Sequence, residues 1–176
     1  MTYKELITNQ CTEYAKNPKV IFIGYNTIKG SRMYGTLDGV PKRQCIEAPV
    51  AENLMIGMAI GMALEGYLPV VCFERHDFIL LGLDALMNHV DKWPELSGGQ
   101  FKLPIIVRAI VGGTKPINPG VQHNQDYSDE LRHMLKNTKV FGYLNYTKAW
   151  KVVGSTKSGA CVVIEHKDMY NLDVDE

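Results

Sequence analysis

Short apolar runs with almost no polar interruption constrain this chain more than any other feature. Val20-Ile21-Phe22-Ile23-Gly24 has no polar side chain, Leu68 to Phe73 has none, and Leu103 to Val111 has only Arg108. Ala160 to Glu165 is apolar up to its last residue. A strand with one wet face alternates apolar and polar residues, whereas an unbroken run suits a parallel strand covered on both faces. Between these runs lie helix-like segments. Tyr3 to Lys16 is amphipathic, with Leu6, Ile7, Cys11, Tyr14 and Ala15 near one face, and Pro18 stops it. Further helices are predicted over 50–66, 127–137 and 146–157, with another from Phe78 to Trp93 that ends before Pro94. Strands are predicted over 20–24, 68–74, 103–111, 139–144 and 160–165, loops over 30–42 and 112–125, and a frayed tail from Asn171 to Glu176.

This alternation predicts a single α/β domain over residues 1–176, a three-layer αβα arrangement around a mostly parallel central sheet. Right-handed crossovers would bring loops 24–45, 74–78 and 112–125 to one sheet edge, where ligand sites of such folds form. Lys plus Arg number 19, as do Asp plus Glu, so no charge excess points to nucleic acid or a membrane surface. The four cysteines show no Cys-x-x-Cys spacing, and a disulfide framework or zinc site is not expected. Leu54 to Leu64, the longest apolar run, falls well short of the roughly 20 residues that a membrane helix needs. With no signal-peptide pattern at Met1 to Leu6, a soluble cytoplasmic protein is expected. No Gly-x-Gly-x-x-Gly or phosphate-loop signature is present; Gly112-Gly113-Thr114-Lys115 follows a strand, but no helix opens at its end. The five histidines have no metal-ligand spacing, so no metal is assigned to this chain.

Glu52 is the first candidate functional residue. It stands at the head of the apolar helix, within Glu47-Ala48-Pro49-Val50-Ala51-Glu52-Asn53. The helix dipole alone would favour an acid there. The alternative is a buried carboxylate that binds a proton or an N–H group. Gly57 and Gly61, four apart on one face, each weaken the helix by about 1 kcal/mol relative to alanine. Such a bare stripe serves close packing, either on the chain's own sheet or on a helix of another subunit, and Met55, Met58 and Met62 add a soft apolar surface.

Taken in order, these segments resemble the pyrimidine-binding domain of thiamine-diphosphate enzymes. The nearest likeness is to the beta chain of pyruvate-dehydrogenase-type 2-oxo acid dehydrogenases, then to the transketolase group. The likeness is densest in Ile46 to Glu52, the Gly57/Gly61 helix and Gly66-Tyr67-Leu68-Pro69-Val70-Val71. It continues through Phe73 to Asp84, Ser97-Gly98-Gly99, Leu103 to Arg108 and Val121-Gln122-His123-Asn124-Gln125. The resemblance implies that Glu52 is the catalytic acid that hydrogen-bonds the aminopyrimidine ring nitrogen. It implies that Phe78 stacks on that ring, that Val50, Phe73 and His76 lie around it, and that His123 and Gln125 face the substrate. Asn124 stands where the family has Ser, and His76 where relatives often have an aromatic residue.

Two departures stand out. Gly24 is followed by Tyr25 and Asn26, where relatives carry an acid, and since the sequence stops soon after Glu165 the family's further C-terminal domain is expected to be absent. Leu37-Asp38-Gly39-Val40 is not the family's diphosphate motif. The resemblance therefore implies a separate alpha-type subunit that holds the diphosphate and Mg2+, in a heterotetramer-like assembly active only when both chains are present. The expected function is that of a pyrimidine-binding subunit of a thiamine-diphosphate enzyme. Its substrate would be a 2-oxo acid, decarboxylated with transfer of the acyl or aldehyde unit. The alternatives are a split transketolase-type ketol transferase subunit and a non-catalytic structural subunit.

Overall fold

The computed structural model describes residues 1–115, 117–142 and 159–174. Among these residues six strands form one sheet: β1 (Val20–Gly24), β2 (Cys45–Glu47), β3 (Leu68–Phe73), β4 (Ile106–Val111), β5 (Lys139–Phe141) and β6 (Cys161–His166). Their order is β2-β1-β3-β4-β6-β5 and every pairing is parallel. The unbroken apolar runs are explained by the two cores they serve. Phe22, Val70, Cys72, Ile106, Ile110, Cys161 and Val163 pack on one face with Tyr3, Ile7 and Cys11 of helix α1 (Tyr3–Tyr14). Ile23, Val71, Phe73, Val107, Ala109, Val162 and Ile164 pack on the other with Met55, Ile56, Ala59 and Ala63 of α2 (Glu52–Leu64). The result is the three-layer arrangement read from the sequence.

Arg108 interrupts its run because it is ion-paired inside the first core. Its Nε donates to Glu165 Oε1 at 2.5 Å and its Nη2 to Glu165 Oε2 at 3.0 Å and Thr36 Oγ1 at 2.8 Å. The Tyr170 hydroxyl donates to the same carboxylate at 2.9 Å.

Several local expectations are corrected. The stretch from Phe78 to Trp93 is not one regular helix: a tight 3₁₀ segment spans His76–Gly82, a wide π turn spans Ala85–Val90, and the short α3 covers Trp93–Leu96. The cause is its crossing over the first turn of α2. A Cβ on Gly82 would lie 2.8 Å from Ile56 Cδ1 and 3.3 Å from the Glu52 carbonyl oxygen, and the Ala85 N–H is drawn to Asn53 Oδ1. The Asp91 carboxylate then accepts the N–H groups of Lys136, Asn137 and Thr138, fastening this segment to the loop before β5. β2 was not anticipated, since three residues are too few to show a period. The tail is tied down as far as Val174: Thr2 bridges to Asp173, and the Tyr3 and Lys4 N–H groups donate to Leu172 and Tyr170. Helix α4 spans Ser128–Met134 within the predicted 127–137. The predicted helix over 146–157 and the end of the predicted strand over 139–144 lie outside the described residues.

The glycine stripe does not pack on the sheet. Gly57 and Gly61 are exposed, and a Cβ on either would meet nothing within 4 Å. Gly66 serves a different purpose. At φ +81° it ends α2 in a Schellman turn, with the Tyr67 N–H donating to Met62 O and the Gly66 N–H to Ala63 O. Among the described residues no helix is long and apolar enough to cross a membrane.

Candidate active site

The strand order reverses between β1 and β3, and ligands of open parallel sheets bind outside the carboxyl ends of the strands at such a point. Gly24 and Cys72 are partners there, and a Cβ on Gly24 would come within 2.5 Å of the Cys72 carbonyl oxygen. The turn directly after Gly24, Tyr25 to Lys29, carries no acid of its own, but Glu47 at the end of β2 and Glu74 just past β3 reach it. Glu47 accepts the N–H groups of Asn26, Thr27 and Ile28 at 2.7, 3.1 and 2.7 Å. Burial pushes its carboxyl up, but those backbone donors outweigh it and hold it below the usual range. Glu74 accepts from Asn26 Nδ2 at 2.7 Å and from the Ser31 hydroxyl.

Glu52 opens α2 and is 3% exposed. Its Oε1 is buried without a hydrogen-bond donor. The dipole reading accounts for the position but not for this: an acid there to serve the helix end alone would sit in water. The Tyr25 hydroxyl belongs to the same patch. Burial pushes it up strongly, and the Glu52 and Glu74 carboxylates add to the effect.

After β3 comes the polar run Glu74-Arg75-His76-Asp77 and then Phe78. The Phe78 ring meets His123 edge-on, centroids 5.5 Å apart and planes at 82°. Gly112, just past β4, makes this contact possible. A Cβ there would stand 2.0 Å from the His123 carbonyl oxygen, 2.7 Å from Asn124 Oδ1 and 2.9 Å from Arg75 Nη1. The Gln125 N–H donates to Asp77 Oδ1 at 3.2 Å, and its side chain bonds Tyr127 and Val121. His76 is fully buried, with neither ring nitrogen hydrogen-bonded. Asp126 lies 3.6 Å from its Nδ1, and Asp126 also faces His166 at 3.5 Å. Burial lowers the His76 pKa from 6.5 to about 4, a drop that Asp126 and Asp77 only partly offset, so the ring is neutral at physiological pH.

A buried polar atom without a partner costs roughly 1–3 kcal/mol. Among the described residues most such atoms lie at this end of the sheet, on Tyr25, Glu52, Arg75, His76, Asp77, His123 and Asn124, with Trp93 and Thr138 elsewhere. The structure thus brings Phe78, His123, Gln125 and His76 into one cluster. The Phe78 segment rests on the first turn of α2 through Gly82, beside Glu52. Phe73 is set apart: it is fully buried in the α2-side core, a packing position. Val50 is 68% exposed just before α2. Asp77 was missed by the sequence reading, which named Arg75 only as a loose candidate for binding a substrate phosphate and Tyr25 only as standing where relatives carry an acid. The signal available for Asp77 was the four-residue polar run Glu74 to Asp77 directly after an apolar strand. Among the described residues no group of three or more His, Cys, Asp or Glu is placed to hold a metal ion.

A family model described as "Transketolase, pyrimidine binding domain" matches residues 1–115. Curated relatives include the pyruvate dehydrogenase E1 component subunit beta of Saccharomyces cerevisiae, 29% identical over 73% of this chain and 36% of that protein. The corresponding subunit of Chaetosphaeridium globosum is 27% identical over 92% of this chain and 50% of that protein. The beta subunit of acetoin:2,6-dichlorophenolindophenol oxidoreductase of Cupriavidus necator is 26% identical over 92% of this chain and 51% of that protein. The chain therefore spans about a third to a half of the length of these relatives. A solved structure titled "Split gene transketolase, inactive beta4 tetramer" shares the fold with TM-score 0.71 at 17% identity, covering 99% of this chain and 53% of that one.

Proposed function

This chain belongs to the transketolase pyrimidine-binding-domain family, and on that premise we propose that it is the pyrimidine-binding subunit of a heteromeric thiamine-diphosphate enzyme that decarboxylates a 2-oxo acid and passes on the acyl or aldehyde unit. One observation carries the reading: the carboxylate of Glu52 is buried at the head of α2 with an oxygen that no donor satisfies. A protonated or N–H-bearing ring nitrogen of a pyrimidine would satisfy it, so the residues present fit the cofactor. Thiamine diphosphate supplies the acidic thiazolium carbon on which 2-oxo acid decarboxylation depends.

The protein's own side chains have distinct tasks. Glu52 holds or yields a proton at the pyrimidine ring nitrogen, and its dry setting makes that exchange sensitive to the ring's protonation state. Phe78 offers an aromatic face whose edge-on contact with His123 fixes its tilt. His123 offers an unpartnered Nδ1 for a substrate oxygen or proton. Val50 and the neutral His76 would border the site, and Gln125, whose backbone N–H is held by Asp77, would face the substrate. The diphosphate and Mg2+ fall to an alpha-type partner chain, with which two copies of this chain would form a heterotetramer.

The test uses the chain co-purified with its diphosphate-binding partner. Calorimetry is expected to show thiamine diphosphate binding, and Glu52→Gln is expected to lower turnover of 2-oxo acids by roughly 10²- to 10⁴-fold while the thermal melt stays in place. Full activity in Glu52→Gln, or no cofactor binding by the complex, would overturn the proposal.

A further inference from the structure

The turn Gly113-Thr114-Lys115 takes no part in the site above, yet Thr114 and Lys115 line a cavity of about 550 Å³. Pockets that take small ligands typically span roughly 300–1,000 Å³. Three lysines, Lys4, Lys115 and Lys167, and a single acid, Asp168, face this one. They come from separate parts of the fold: the first turn of α1, the turn after β4 and the segment after β6. Chain folding, not a basic run in the sequence, brings these ammonium groups together. None of the three has an ion-pair partner among the described residues, although lysines elsewhere pair with Glu13 and Asp91.

The acids nearby are already engaged or stand aside. Asp168 accepts the Thr114 N–H at 3.2 Å and lies so close to Gly113 that a Cβ there would be 2.4 Å from its Oδ1. Asp38 Oδ2 shares the space beside Gly35 with Lys4 Nζ, each 3.1 Å from where a Cβ would stand, but it does not line the cavity.

Tyr170, Asn171 and Tyr34 complete the wall, and Tyr34 is held in a conformation that needs a reason. Arg32, Met33 and Tyr34 have φ of 45°, 54° and 57°, three consecutive left-handed residues, before Gly35 at 83°. Each non-glycine residue in that region costs about 1–2 kcal/mol. The strain is held by the buried Met33 and by the Arg32 guanidinium, which donates to the carbonyls of Thr27 and Val40. Its consequence is to set the Tyr34 ring under Lys167 Nζ, 4.4 Å from the centroid, with the Arg75 guanidinium carbon 5.9 Å away. The ring thus fixes a lysine that would otherwise be free, and strained backbone of this kind gathers at ligand sites.

We propose that this cavity binds a small phosphorylated molecule through Lys4, Lys115 and Lys167, at a site separate from the one around Glu52. Three gathered ammonium groups repel one another until an anion bridges them with charge-assisted hydrogen bonds. A phosphate monoester, with a charge of about −1.5 to −2 at pH 7 and a second pKa near 6, matches three lysines against one acid better than a singly charged carboxylate does. Binding therefore strengthens as pH rises through about 6.

The probes are glycerol 3-phosphate, inorganic phosphate and glycerol, titrated calorimetrically into the full chain at constant ionic strength. Glycerol 3-phosphate is expected to bind saturably at pH 7.5 and more weakly at pH 5.5, and glycerol not at all. Lys115→Gln and Lys167→Gln are each expected to weaken binding about tenfold, with melts confirming the fold, while Lys42→Gln, at an exposed position outside the cavity lining, leaves it unchanged. Inorganic phosphate binding as tightly, with the same lysine dependence, supports the site and identifies free phosphate as the ligand. Weaker binding of inorganic phosphate supports it and identifies an organic ester. Because the titration needs neither partner nor thiamine diphosphate, and is expected to survive Glu52→Gln, its outcome is independent of the reading of the first site. The proposal is overturned if neither phosphate gives saturable heat, or if binding is indifferent to both lysine substitutions.

Discussion

The buried imidazole of His76 makes a sharp prediction about stability and pH. The folded protein holds its pKa near 4 instead of 6.5, because burial disfavours the cation more than Asp126 and Asp77 favour it. In the unfolded chain the ring protonates normally. Between these two values the unfolded state binds a proton that the folded state refuses, so stability falls as pH drops and rises as pH increases. Above about pH 6.5 both states are neutral at this position and the effect vanishes. At about 1.4 kcal/mol per pH unit, the full difference is roughly 3 kcal/mol, reached near pH 4. That is a large fraction of the 5–15 kcal/mol typical of a domain.

Urea unfolding of the natural chain and of His76→Phe at pH 7.5, 6.5, 5.5 and 4.5 separates this contribution from the carboxylates, which titrate in both proteins. The stability difference between the two should move by roughly 2–3 kcal/mol in favour of His76→Phe as pH falls from 7.5 to 4.5. Phenylalanine is close in shape and keeps the edge contact that His76 makes with Tyr127 at 5.9 Å. A difference that stays flat over that range would refute the reasoning. It would mean that Asp126, 3.6 Å away, pairs with a protonated His76 in the folded state.

Three further outcomes follow from the packing. Gly57→Ala and Gly61→Ala face open space, so each should stabilise the isolated chain by about 0.5–1 kcal/mol in urea melts; destabilisation there would show that the face is already packed. Gly112→Ala forces a Cβ to within 2.0 Å of the His123 carbonyl oxygen. It should cost about 1–3 kcal/mol and shift the His123 imidazole resonances as the ring leaves Phe78. Glu165→Gln takes the carboxylate from the buried Arg108, and should lower unfolding free energy by roughly 3–5 kcal/mol by calorimetry.

The sheet was legible because its strands are covered on both faces, and an unbroken apolar run such as Val20–Gly24 has few other uses. α2 was legible to within two residues at each end for a similar reason: Gly66 stops it by a mechanism visible in the sequence. What escaped depends on distant partners. The irregular winding from His76 to Val90 is imposed by the first turn of α2, Asn53 included, which a local pattern cannot register. The left-handed turn at Arg32 to Tyr34 is stabilised by bonds to Thr27 and Val40 and by burial of Met33, so its residue types carry no warning. In the candidate site, Glu52 was singled out by its place at the head of an apolar helix, whereas Phe78 and His123 were named through resemblance. Arg75 and Asp77 join the cluster because Gly112 lets the 118–125 loop fold against them, a three-dimensional fact.

Glu52 and the stripe of small residues on α2 bear on the same question from opposite sides of one helix. The inward side carries a carboxylate with no donor. The outward side exposes Leu54, Gly57, Gly61 and Leu64, spaced three, four and three residues apart and so aligned on one face. Nothing in the described chain occupies the space above those glycines. A helix that served only its own sheet would gain from alanine at both positions, since each glycine gives up about 1 kcal/mol of helix stability. Glycine is worth that loss where another backbone must come close. An unsatisfied acid within and an unfilled apolar face without are the features expected of half an active site, and the proposed partner chain accounts for both at once.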